Sequence, residues 1–155
     1  MDGILKSVGD FFLSTWIWNL TFDWFHPVLT GIIMFLILRL IFRRARIHAL
    51  VISFMAQVFA FGALTLIAMG LTEYLQWRYD PLHSKVALAA MNTFYASLSL
   101  GLVYTLLHAI YFTVGHIIWR YNLHAFLVMI FLSNGIGFAL SYMFIEMAKV
   151  WYYVD

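Results

Sequence analysis

Apolar residues fill most of the chain from Trp24 onward, in long runs broken by short polar clusters. The runs are Val28–Phe42, Ile47–Leu71, Val86–His116 and Leu123–Val150. A bilayer core needs about 20 apolar residues of helix to cross it. The pattern therefore predicts an all-α polytopic membrane protein. Four transmembrane helices, over roughly 26–44, 47–72, 86–117 and 123–150, would form an up-down bundle. The joints are Phe42–Arg46, Thr72–Lys85 and Trp119–Asn122, and short joints make successive helices antiparallel neighbours. The third run would measure about 45 Å at 1.5 Å per residue, so it is expected to protrude at its start.

Ahead of the first run, residues 1–25 mix Phe11, Phe12, Trp16, Trp18, Phe22, Trp24 and Phe25 with Asp10, Asn19 and Asp23. This segment reads as an N-terminal amphipathic helix lying in the interface, its tryptophans at headgroup depth. It has neither the basic start nor the small-residue cleavage site of a secretory signal. Trp151, Tyr152 and Tyr153 make a matching aromatic collar at the other end. Arg43, Arg44 and Arg46 crowd the first joint and Arg120 marks the third, whereas the middle joint balances Arg78 and Lys85 against Glu73 and Asp80. The positive-inside rule then places joints one and three in the cytoplasm and both termini outside, in what is expected to be a bacterial inner membrane.

Composition fixes the class. Of the 155 residues, 65% are hydrophobic and only 10% charged, and the mean hydropathy is +0.90. Soluble domains average about 25% charged residues, so this chain has too little polar side chain to cover a water-facing surface. The length suits a single integral membrane domain over residues 1–155. With no cysteine, disulfides, thiolate metal sites and thiol chemistry are excluded. Nine Lys+Arg against seven Asp+Glu is too small a surplus for nucleic-acid binding. No motif calls for a cofactor or names a catalytic residue: phosphate loops, HExxH, serine elbows and EF-hands are all missing. Pro27 and Pro81 both sit at helix starts, so the Pro-interrupted half-helices of many transporters are not expected.

Polar residues inside an apolar helix need partners or an inward position. Ala89, Thr93, Ser97, Gly101, Thr105, Ala109 and Thr113 recur at every fourth place in the third run. Ser133, Gly137 and Ser141 repeat the step in the fourth, beside Asn134 and Gly135. Small residues at this spacing let helices approach closely. His108 lies within about 60° of Gly101 and Thr105 on a helical projection, so it faces inward, with Tyr104, Gln57 or Asn134 as hydrogen-bond partner. Packing, proton relay, quinone contact and haem or metal ligation all remain open for it. Glu73 and Glu146 stand near the outer ends of the second and fourth runs, and Lys149 is placed to neutralise Glu146.

Shifting the chain by 76 residues lays Arg44, His48 and Ala49 over Arg120, His124 and Ala125, a shared Arg-x-x-[Ile/Leu]-His-Ala string at the cytoplasmic start of helices two and four. It resembles in part the repeated Arg-x-x-His-Ala motif of small four-helix proteobacterial antimicrobial-compound efflux proteins. Spacing is one residue longer here, the family's glutamate falls on Ser53 and Ile130, and the motif begins helices two and four rather than one and three. Membership does not follow.

Three functions fit these residues. The first is a non-catalytic subunit, anchor or assembly factor that binds a membrane partner or self-associates in the lipid bilayer. The second is a proton-coupled small-solute transporter acting as an oligomer through Glu146, Glu73 and His108. The third is a quinone- or haem-contacting subunit of a membrane oxidoreductase.

Overall fold

The computed structural model describes residues 2–74, 92–119 and 122–152. Among the described residues the chain is helical throughout, without strands: α1 (Asp2–Thr21), α2 (Phe25–Leu40), α3 (Arg46–Tyr74), α4 (Thr93–Trp119) and α5 (Leu123–Tyr152). The last three are each long and apolar enough to cross a membrane. Helices α1 and α2 meet that test only as a pair, bent by 84° at the break between Thr21 and Phe25. The expected protrusion before Thr93, most of the middle joint and Tyr153 lie outside the described residues.

Pro27 explains the break. A proline ring removes one backbone donor and clashes with the carbonyl four residues earlier, here Asp23, yet it is tolerated in the first turn of a helix. Helix α1 ends with Phe22 N and Asp23 N both donating to Trp18 O (2.9 and 3.1 Å), and α2 starts as His26 N donates to Asp23 O (3.2 Å). Pro27 thus opens α2, as its position suggests, and the chain bends by 84° just ahead of it.

The other joints are closed by local bonds. Arg43 takes the left-handed conformation (φ 51°), which turns the chain so that Arg44 N donates to Leu38 O at 3.1 Å and Arg39 Nη1 donates to Arg44 O at 3.3 Å. The first bond satisfies a carbonyl that α2 leaves open at its end, and the second ties the joint back to the helix. Asn92 and Asn122 cap α4 and α5, their side-chain oxygens accepting from Phe94 N (2.9 Å) and Ala125 N (3.2 Å).

Helix α2 packs on α3 and α5, α4 packs on α3 and α5, and α1 lies across α3 and α4. Two apolar cores result. Met34 and Leu38 of α2 meet Ala49 and Ala56 of α3, Phe112 of α4, and Phe126, Met129 and Ile130 of α5. Leu13, Ile17 and Trp18 of α1 meet Ala60, Leu64 and Ala68 of α3 and Leu100, Val103, Tyr104 and Leu107 of α4. Because lipid is as apolar as these side chains, close packing through small residues holds such helices together more than water exclusion does. With 16 residues, α2 is about 24 Å long at 1.5 Å per residue, short of a core of about 30 Å. The inner face of α1 completes what α2 leaves uncovered. The N-terminal segment, read from its aromatics as an interfacial helix, packs one face on the bundle: Trp18 and Asn19 are only 3% and 1% exposed.

Candidate functional site

Where α1 gives way to α2, polar side chains from four helices converge. Asn19 and Asp23 come from the end of α1 and the break, His26 and Thr30 from α2, Tyr104 and His108 from α4, and Asn134 and Ser141 from α5. All are buried, and Asp23, His26 and His108 have no exposed surface at all. Tyr104 and Gly137 lie near the middle of their helices, so the cluster is level with the centre of the bundle.

Helical periodicity brings these groups together. His26, Thr30, Met34 and Leu38 form the buried edge of α2 at every fourth residue. That edge seats against Gly137, where an added methyl group would collide with Thr30 Oγ1 and come within 3.6 Å of His26 Cε1. A second close approach is at Gly101, whose missing Cβ would meet Phe138 Cβ at 3.4 Å.

Within the cluster, Asn19 Nδ2 donates to Tyr104 Oη at 3.4 Å. The Tyr104 ring is edge-to-face with both imidazoles, its centroid 5.3 Å from that of His26 and 5.8 Å from that of His108. Asn134 Nδ2 lies 3.1 Å from His108 Nδ1 and also donates to Ile130 O at 2.9 Å. Because the amide nitrogen donates, Nδ1 accepts and the neutral ring carries its proton on Nε2. Ser141 Oγ is 3.4 Å from His26 Nδ1. The Asp23 carboxylate lies near the Ser141 hydroxyl, the Trp18 indole and the His26 backbone, yet no hydrogen bond closes on either of its oxygens. His26 Nε2, Thr30 Oγ1 and Asn134 Oδ1 are likewise buried without a partner, and His108 Nε2, which closes no hydrogen bond of good geometry, lies near the Ala56 backbone. A buried polar group left unpaired costs about 1–3 kcal/mol, more when charged.

The residues singled out from sequence divide among several places. His108 and Asn134 belong to the cluster. Thr93, Ser97, Gly101, Ser133, Gly137 and Ser141 are buried, whereas Thr105 and Ala109 are half-buried. Gln57 sits on α3 against the gap left by Gly31 (3.1 Å from its Cγ to the glycine's Cβ position), with both amide atoms unpartnered. Glu146, five residues beyond Ser141 on α5, is not among the converging groups: it is 43% exposed and paired with Lys149 at 3.1 Å, and Lys149 also bonds Thr93 Oγ1. Arg44, His48 and His124 are exposed at helix starts. The side chain of Glu73, and Arg120, lie outside the described residues.

Sequence reasoning missed Asp23 and His26. The available signal was the four-residue spacing of His26 and Thr30 with Met34 and Leu38, together with a proline one turn after an aspartate. Among the described residues no group of three or more His, Asp or Glu is arranged to hold a metal ion. No family model, curated protein or solved structure matches the chain.

Proposed function

We propose that this chain is a proton-coupled small-solute transporter of the membrane, acting as an oligomer, and that its proton-binding site is the Asp23–His26–His108 cluster rather than Glu146 or Glu73. The observation that carries the reading is a carboxylate and two imidazoles fully buried at a break between two half-helices. Ionisable groups at such depth are costly and rarely structural. Discontinuous helices near mid-depth are how many secondary transporters present backbone and side chains to a substrate. In this reading α1 and α2 form one broken span, the Arg43–Arg46 joint faces the cytoplasm, and the membrane is a bacterial inner membrane.

The test is solute-dependent proton flux. Small amines, amino acids and sugars are added in turn to liposomes that contain the protein and a trapped pH dye. At least one solute should drive a proton flux that Asp23→Asn abolishes and Glu146→Gln leaves unchanged. Folded protein that moves no protons with any of them would argue against transport.

A second reading, a partner-binding subunit or anchor, draws on Gln57. Its unpartnered amide in the groove between α2 and α3 could bond a polar residue of a partner helix. A co-purifying membrane protein lost on Gln57→Leu would favour it.

A further inference from the structure

The arginine-rich end of the bundle carries a feature that the buried cluster does not use. A groove of about 580 Å³ runs between α3 and α4 and ends against α5. Arg44 and His48 stand at its mouth, and its walls are Val51, Ile52 and Met55 on one side and Tyr111 and Phe112 on the other, closed by Phe126. This volume lies within the range of about 300–1,000 Å³ typical of small-ligand sites. The span of α3 begins at Arg46, so the mouth lies at the level of the lipid headgroups and the groove runs inward from it.

Charge on this end is one-sided. No Asp or Glu occurs between Asp23 and Glu73 or between Asp80 and Glu146, so helices α2 to α5 bring no carboxylate to the end that holds Arg39, Arg43, Arg44 and Arg46. Arg39 is engaged with the Arg44 carbonyl. The left-handed turn at Arg43 is unusual for a residue with a side chain, and it holds Arg44 at the groove while α3 begins two residues later. An amphiphile with a negative head and an apolar tail complements both halves of this site.

We propose that the groove binds an anionic phospholipid, with its phosphate between Arg44 and His48 and one acyl chain along Val51, Met55 and Tyr111. Guanidinium groups match phosphate oxygens two at a time, and basic recesses at the membrane boundary select anionic headgroups. The site is independent of transport.

The probe is phosphatidylglycerol against phosphatidylcholine of the same chains, added to the full chain in a nonionic detergent. Retained lipid is counted by native mass spectrometry. Wild-type protein should retain phosphatidylglycerol at least fivefold over phosphatidylcholine. Arg44→Gln with His48→Gln should erase that preference, and Met55→Trp, which fills the groove and keeps every cation, should release the lipid. Lys149→Gln, at the opposite end, should change nothing. Equal retention of the two lipids by wild type would overturn the proposal. So would phosphatidylglycerol retention by Met55→Trp at the wild-type level, because the arginines would then act as a diffuse charge and not as a site.

Discussion

Two carboxylates, Asp23 and Glu146, occupy opposite situations in this bundle. Glu146 is 43% exposed with Lys149 at 3.1 Å, so its charge is answered by a neighbour one turn away and by solvent or headgroups. Asp23 is fully buried, its oxygens close no hydrogen bond, and among the described residues no basic side chain is paired with it. By sequence the order is reversed: Glu146 falls inside a long apolar run and Asp23 among aromatics that suggest an interface. The difference shows that burial in a helical bundle follows from where helices break as much as from distance along a hydrophobic run.

The contrast is sharpest in function. Asp23→Asn should abolish solute-dependent proton flux in liposomes, a loss of tenfold or more, while Glu146→Gln keeps it; the reverse pattern would restore Glu146 as the working carboxylate. Next in size is the seat of α2. Gly137→Val should destabilise the bundle by about 1–3 kcal/mol through overpacking against Thr30, measured by denaturation in mixed micelles. Combining it with Thr30→Ala should recover part of that loss, since contacting residues are not additive. His108→Leu removes one of the two acceptors of the Asn134 amide, leaving only the Ile130 carbonyl, and should cost about 1–2 kcal/mol by the same assay. The smallest effect is expected at the exposed pair: Lys149→Gln should change stability by less than about 1 kcal/mol.

Much of the architecture is legible in the chain. Long apolar runs locate α3, α4 and α5 because a membrane helix must satisfy its own backbone, which leaves hydropathy as the dominant signal. The small residues Ser97, Gly101, Ser133 and Gly137 fall on buried faces for the same reason that makes them visible: only small side chains permit close approach. Two features resist this reading. The first is the buried face of α1: its aromatic residues suit an interface and a packed face equally well, and only the packing of Leu13, Ile17 and Trp18 on α3 and α4 shows which side is covered. The second is the cluster itself. His26, His108 and Asp23 are separated by up to 85 residues in sequence, and only the crossing of α2, α4 and α5 brings them together. Periodicity points His108 inward and offers Asn134 as a partner, which the structure bears out, but it does not bring His26 or Asp23 to the same place.

The depth of the break can be measured directly. The chain has no cysteine, so a single nitroxide can be placed at Trp24→Cys, a position at the break that is 64% exposed to the surroundings. In lipid vesicles, collision rates with dissolved oxygen and with a water-soluble nickel chelate report depth. A break near mid-bilayer requires strong oxygen and negligible nickel collisions, matching a label at Leu106 on α4. Nickel accessibility at Trp24→Cys equal to that of a headgroup-level label at Ile47→Cys would place the segment at the interface and contradict a membrane-buried Asp23 cluster.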